Sequence, residues 1–460
     1  MSMKNIMTIT ILLLSTTIPV CSLTVDLMDV WRASQSIDPA FISSRFEQLA
    51  GEQRLEQSRA LWLPNIYLTA TKGKMASNTV TKGAEFSAPG LENSFSNATF
   101  NTRIRNGVVN RHMLLAVQPL YDLQRLMQSR QLSLSANISN LLAESSKQNL
   151  ILLVAESYFT MLLAEETLKL IKKQEEAVKK TYKEINKRFN LGDAAQTDLQ
   201  ESAERLDSIK IKVIEADTEL KIKKLALQDL LGMIPQDWKK LKNIPINCNF
   251  LNSLDQYIVK IKSQNLQLLM MEATLDIAKH EAKKHSAMSS VKVDAIAQLS
   301  RDSLRGHSNN SNYTASNTLS NHLFGVQLSV PIFTGGYRSA KETEAIWLIE
   351  KSKAEYDKAM VETEQAIRVL WFELSAATSR MHALQNNLQT SQARLISTIK
   401  GHAVGSRSTL EVLLAQSDAI NAEHALYKDK VNALLNRLRL NAIIGELTED
   451  ELKIINNYLQ

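Results

Sequence analysis

The first residues that could carry chemistry are His280, Glu281 and His285. A zinc peptidase needs its two histidines four positions apart on one helix face, with the glutamate directly after the first. Here the histidines are five apart, which misses that face. The chain has two cysteines, Cys21 and Cys248. If the first is lost with the N-terminus, no disulfide can form within the chain, and Cys248 reads as a buried thiol. No nucleophile triad, phosphate-binding loop or metal cluster is present, so the sequence predicts no enzyme, no cofactor and no metal site. What remains is a set of polar residues gathered at two glycines. Thr197 and Asp198 follow Leu191-Gly192; His402 precedes Val404-Gly405-Ser406, and Arg407 and Glu411 follow it. Taken plainly, the glycines supply positive φ at helix ends, Thr197 and Asp198 suit a helix N-cap, and Arg407 and Glu411 are solvated charges.

Long helices must position these turns. Residues 122–191 and 337–400 contain neither glycine nor proline, and at a rise of about 1.5 Å per residue the first would form a helix roughly 100 Å long. Each run follows a short alternating stretch ending in Pro119-Leu120-Tyr121 or Pro331-Ile332-Phe333, and each ends at one of the glycine turns. Helices over 197–231 and 408–444 come next and stop at Gly232 and Gly445. Spacing in threes and fours through Leu168, Val178 and Tyr182, answered by Leu206, Val213 and Leu220, predicts an antiparallel coiled-coil pair. Ahead of each long run, alternation predicts paired strands, 65–71 with 108–120 and 291–297 with 324–331. The Ser/Asn-rich tracts between them, 72–107 and 300–321, read as exposed loops. Residues 26–60 and 254–285 are helical in character; Asp38-Pro39 marks a helix start, and Phe41, Phe46, Leu49 and Leu55 are candidates for a buried stripe.

The order helix, hairpin, long helix, turn, helix therefore occurs twice. Pro119 and Pro331 lie 212 residues apart, while Tyr158 and Trp371, Gly192 and Gly405, and Gly232 and Gly445 each lie 213 apart. Such constancy marks an internal repeat. The predicted organisation is a signal peptide (1–22), a first repeat (23–232, hairpin 65–120), a linker (233–253) and a second repeat (254–460, hairpin 291–333).

A net charge of +6 over 460 residues is mild. The lysines between 169 and 187 alternate with glutamates, which describes a solvated helix face and not a nucleic-acid surface. At the N-terminus, Lys4, an apolar segment over 6–14 and Val20-Cys21-Ser22 read as an export signal. Lipid attachment at Cys21 is the alternative, but Ile18-Pro19-Val20 lacks the small residue expected before such a cysteine. No other stretch approaches the roughly 18 apolar residues of a membrane helix. Trp62, Tyr121 and Phe333 lie near strand ends, where barrels carry interfacial aromatics. Four strands are too few to close a barrel around a lumen, and lipid does not tolerate open sheet edges. Two copies would supply eight strands and three would supply twelve. A coiled-coil scaffold without a pore, in the periplasm or at the surface, is the competing reading; it leaves the export signal and the strand pairs unexplained.

Arg188-Phe189-Asn190-Leu191-Gly192 with Thr197-Asp198, and Val404-Gly405-Ser406-Arg407 with Leu410-Glu411-Val412-Leu413, resemble the two periplasmic turns of TolC-type outer-membrane efflux proteins. Pro331-Ile332-Phe333-Thr334-Gly335-Gly336 is similar to that family's strand-to-helix junction. The ending from Gly445 to Leu452 resembles its TolC branch more than its lipidated one. The resemblance implies a mixed α/β homotrimer with a 12-stranded barrel in outer-membrane lipid and a periplasmic helical tunnel. It implies a periplasmic adaptor and an inner-membrane transporter (RND, ABC or MFS type) as partners, and export of small toxic compounds or polypeptides. By position, Thr197, Asp198 and Arg407 would link the closed tunnel end and three copies of Glu411 would form an acidic ring. Leu191, Gly192, Val404, Gly405 and Ser406 would meet the adaptor. Two departures stand out: His402 replaces a tyrosine linked to the aspartate at position 198, implying a pH-sensitive bond, and Leu414 replaces a second acidic ring, implying weaker cation selectivity.

Overall fold

The computed structural model describes residues 24–87, 89–90, 92, 95–233, 235, 237–241, 253–308 and 314–459. The expected signal peptide, both cysteines and most of the expected linker lie outside these residues. In chain order come β1 (Thr24–Val25), α1 (Leu27–Ile37), α2 (Pro39–Ala60), β2 (Asn65–Phe86), β3 (Phe95–Tyr121), α3 (Leu123–Asn190) and α4 (Gln196–Leu231). After β4 (Asp237–Trp238) the order returns as α5 (Leu254–Gln264), α6 (Leu266–Ser286), β5 (Lys292–Ser308), β6 (Thr314–Ser329), α7 (Tyr337–Ala403) and α8 (Thr409–Ile444), followed by α9 (Glu449–Asn456). Among the described residues no helix is long and apolar enough to cross a membrane.

The helices expected over 26–60 and 254–285 are each broken once. Asp38 ends α1 in extended backbone and its Oδ1 accepts from the Phe41 amide at 2.7 Å. Asn265 does the same between α5 and α6, accepting from the Leu268 amide at 2.8 Å while its Nδ2 donates to the Ile443 carbonyl at 2.6 Å. Short polar side chains that bond nearby backbone favour such breaks. The two breaks are 227 residues apart, as are Asn65 and Lys292, where β2 and β5 begin, so they belong to the repeat.

The chain forms two units: Met1–Phe46, Leu142–Leu269 and Met360–Gln460 in one, Glu47–Leu141 and Met270–Ala359 in the other. The second unit carries an antiparallel sheet in the order β2-β3-β5-β6, with β2 and β6 each paired on one side only. Pairing continues from Asn65 with Val117 to Phe86 with Phe95, and from Lys292 with Ser329 to His307 with Thr314. Most of the expected loops 72–107 and 300–321 are therefore strand. An antiparallel partner pairs the backbone donors and acceptors that face it whatever the side chain. Left-handed backbone between Asn65 and Tyr121 is confined to Gly83, Gly90, Asn97 and Asn106 among the described residues, at the tip and the irregularities. At one of these, between Arg105 and Val108, Asn106 takes φ 48°, and a Cβ on Gly306 would lie 2.6 Å from Gly107 Cα.

Along α2 the expected stripe is also corrected. Phe41 is buried, but Phe46, Leu49 and Leu55 are exposed in the single chain. The buried face runs instead through Phe41, Ser44, Gly51 and Ser58, at helical spacing. Small residues win there because α2 lies close against α3: a Cβ on Gly51 would come 2.5 Å from Ser139 Cβ. Arg54 donates to Ser139 Oγ at 2.7 Å, and the Ser58 and Ser129 hydroxyls are 2.8 Å apart. Gly51→Val should therefore lower stability by about 1–3 kcal/mol through overpacking. Urea unfolding would read it, and Gly51→Val should cost less in a Ser139→Gly background than in the wild type, because the clash partner is gone. An unshifted midpoint in the single variant would mean that the helices have room to part.

The first unit is built around Trp31, Tyr158, Phe159, Leu227, Leu438 and Leu452. Here β1 pairs in parallel with β4, a strand inside the expected linker. The coiled-coil expectation holds: Val178 packs with Leu206, Ile209 and Leu413, with Tyr182 against them, and Leu168 and Leu220 join the main core. The repeat is not symmetric in its packing. Tyr158 and Phe159 are fully buried, whereas the equivalent Phe372 is 61% exposed.

Candidate functional site at the two interhelical turns

Both turns close by the same local geometry. After α3 the Gly192 amide donates to the Phe189 carbonyl at 3.0 Å and the Asp193 amide to the Arg188 carbonyl at 2.8 Å; after α7 the Gly405 amide donates to His402 at 3.0 Å and Ser406 to Gly401 at 2.9 Å. The glycines take φ 84° and 76°, the left-handed backbone that lets a helix end this way. Leu191 and Val404 stand at the two tips, 77% and 80% exposed.

The helices that leave the turns begin differently. Ser408 caps α8, accepting from the Glu411 amide at 3.2 Å, while one Glu411 oxygen accepts from the Ser408 amide at 2.7 Å. The other Glu411 oxygen takes the Arg407 guanidinium at 2.7 Å. The Ser408 amide first, and Arg407 second, hold the Glu411 carboxyl below the usual range. Glu411 is thus not a plain exposed glutamate, and Ser408-x-x-Glu411 is a capping-box signature that the sequence already displayed. At the start of α4 the N-cap is Ala195, with no side-chain cap. Thr197 and Asp198 sit inside the first turn and are exposed, so neither performs the capping role open to it from sequence.

A cleft of about 640 Å³ joins the two turns, lined by Arg188, Asp198, Arg205, His402, Arg407 and Leu413 among others. It brings together three of the four expected linking residues; Thr197 and Glu411 are not among those lining it. His402 Nε2 lies 3.0 Å from Thr409 Oγ1, so in one chain its partner is Thr409 and not Asp198. Sequence reasoning missed Thr409, and it missed Arg188 and Arg205, which also line the cleft, Arg205 paired with Glu201 at 2.9 Å. Gly401 admits the approach, since a Cβ there would meet Arg407 Cγ at 2.8 Å. Among the described residues no group of His, Cys, Asp and Glu could hold a metal ion. His280 and His285 each leave Nδ1 without a partner, and His285 Nε2 pairs with Glu281 at 2.9 Å.

The profile of the family described as "Outer membrane efflux protein" matches residues 33–233 and 257–446, both repeats in turn. Outer membrane protein TolC of Escherichia coli (strain K12) is 22% identical over 440 residues, 94% of this chain and 85% of TolC. Alkaline protease secretion protein AprF of Pseudomonas aeruginosa is 24% identical over 439 residues, 93% of this chain and 86% of AprF. The crystal structure of outer membrane protein VceC from Vibrio cholerae superposes with a TM-score of 0.70 at 14% identity, covering 91% of this chain and 96% of that one. With the strand pairs and the doubled order matched along both repeats, the chain belongs to the outer membrane efflux proteins, channel proteins of the outer membrane.

Proposed function

We propose that three copies pool their sheets into one 12-stranded barrel and continue it as a periplasmic helical tunnel, a passive duct fed by an inner-membrane pump through a periplasmic adaptor. The observation that carries this is the pair of open margins, β2 and β6. Within lipid an unpaired edge is untenable, and identical copies supply complementary edges when β2 of one lies beside β6 of the next and the ring closes. The cargo is small toxic compounds, secreted polypeptides or both. The polypeptide part is supported by relatives named for protease secretion. Asp198, His402 and Arg407, around one cleft, with Thr197 beside them, hold the tunnel end closed. The exposed tips at Leu191-Gly192 and Val404-Gly405-Ser406 are the adaptor's landing points. Purified full-length protein in mild detergent should have the mass of three chains and give small, mostly closed current steps in planar bilayers. A monodisperse single chain, or a bilayer that stays silent at every protein concentration, would return the molecule to a scaffold.

A further inference from the structure

The strand registers sort the sheet's side chains into two faces, because directly opposed residues of an antiparallel pair point the same way. Ile66, Ala116, Ala297 and Phe324 form one cross-strand row, and Leu68, Leu114, Leu299 and His322 the next. Leu68, Phe324, Val326 and Leu328 on this face are each at least 66% exposed. The rows from Leu328 to Leu68 are almost wholly apolar and span about 20 Å of strand. The other face alternates polar with apolar and buries Leu304. The apolar face is the one that meets lipid.

Charge is distributed on this sheet in a way that lipid contact alone does not require. The four strands carry nine Lys/Arg against three Asp/Glu, a net of +6, equal to the net charge of the whole chain. Immediately beyond the apolar rows, on the side away from the helices, the same face presents Ala70, His112, Arg301 and Ser320, then Lys72, Asn110, Ser303 and Thr318, then Lys74, Val108, Arg305 and Ser316. These three rows hold four Lys/Arg and no acid. Asp302 and Asp294 point to the opposite face, where Asp302 pairs with Arg111 at 2.9 Å. Lys72, Lys74, Arg301 and Arg305 are exposed and make no ion pair among the described residues. Arg301 and Arg305 lie about 14 Å apart along β5, and the lysine column on β2 lies about 10 Å across the sheet from them.

We infer that this basic patch binds the phosphorylated sugar headgroups of outer-leaflet glycolipid, with the apolar rows below it taking the acyl chains. The argument is charge complementarity joined to position. Four unpaired cations flank hydroxyl and amide side chains (Ser303, Thr318, Asn110) at the upper border of a lipid-facing band. Cations so placed strengthen attachment to an anionic leaflet severalfold each, and a disaccharide with a phosphate on each ring suits two cation columns better than a single-phosphate headgroup does. The inference rests on the outer-membrane location and on no statement about gate or cargo.

Native mass spectrometry of the full-length protein in mild detergent tests it, with a diphosphorylated glucosamine-disaccharide lipid as probe and its phosphate-free form as control. The wild type should retain the diphosphorylated lipid at least tenfold better than the stripped one. The combined variant Lys72→Gln, Lys74→Gln, Arg301→Gln, Arg305→Gln should lose that preference while keeping its assembled mass. Arg111→Gln on the other face should keep it, and Arg301→Lys with Arg305→Lys should keep most of it, because a phosphate accepts a point charge. Equal retention of the stripped lipid, or an unchanged preference in the fourfold variant, overturns the inference.

Discussion

Tyr158→Ala is expected to be the most damaging single substitution outside the sheet, costing about 4 kcal/mol, the scale for a fully buried aromatic. The side chain is 0% exposed. Its ring meets Phe159 edge-on at 5.9 Å and Trp238 at 6.0 Å. Its hydroxyl donates, shared, to the Val25 carbonyl at 3.2 Å and the Lys239 carbonyl at 2.9 Å. Those carbonyls sit where β1 and β4 meet, so one phenol fastens the start of the chain to the segment between the repeats. Burial first, then the nearby Asp26 carboxylate, pushes the phenol far above the ordinary tyrosine range, so it stays protonated and remains a donor wherever the protein is folded. Tyr158→Phe separates the contributions. It keeps the ring but withdraws the donor, and because the Val25 carbonyl still accepts from the Lys239 amide at 3.1 Å the loss falls on the part-buried Lys239 carbonyl, at about 1 kcal/mol. Urea unfolding followed by tryptophan fluorescence reads both, since Trp31 and Trp238 belong to the same core. An alanine variant that unfolds at the wild-type midpoint would mean that this junction does not hold the unit together.

Position 158 also shows what the sequence could and could not disclose. The repeat paired Tyr158-Phe159 with Trp371-Phe372, and both pairs lie at equivalent places on equivalent helices. Periodicity carried that far because helix runs, terminating glycines and strand alternation are local. It could not show that one pair would be covered and the other left open. The cover over Tyr158 comes from α1, β1, β4 and α9; α5, the counterpart of α1 in the second repeat, packs against α8, and Phe372 stays 61% exposed. The strands outrun their alternating segments for a related reason: serine and asparagine favour turns in isolation, and only a long-range partner makes the extended backbone the better choice. Hydrophobicity does not mark the buried face of α2, because the close α2 to α3 approach selects Gly51 and Ser58 there. At the turns, the glycines and the polar residues around them were legible. The pairing of His402 with Thr409 was not, because it depends on how the start of α8 folds back toward the end of α7, whereas Arg407 with Glu411 is a local pair one turn apart beside the capping box.

At Arg407 and Glu411 two substitutions should move block by multivalent cations in opposite directions. Within one chain the Glu411 carboxylate is half neutralised, one oxygen on the Arg407 guanidinium and the other on the Ser408 amide. In the proposed trimer three such carboxylates would form the acidic ring that the family resemblance implies. Arg407→Ala removes the guanidinium but leaves the cap, so the ring's negative charge is uncovered and block by a trivalent cation should tighten by about tenfold. Glu411→Gln keeps an amide oxygen for the Ser408 N–H and removes the charge, so block should disappear with α8 still capped. Glu411→Ala would blur the two by losing the cap as well. If Arg407 also links the closed end, its removal should raise conductance, and Asp198→Ala should raise it too while leaving block alone. Unchanged conductance in both variants would take these residues out of the gate. The pH dependence has a fixed sign. The folded-state pKa of Glu411 lies below the ordinary glutamate value of 4.5, so the cap's contribution to stability is complete above that value and is lost as pH falls through the lower one. Block should follow the same course, persisting at a pH where an unpaired glutamate would already be protonated. In Arg407→Ala the Ser408 amide, the larger cause, still holds the pKa down, so the loss of block should move up only part of the way toward the ordinary value.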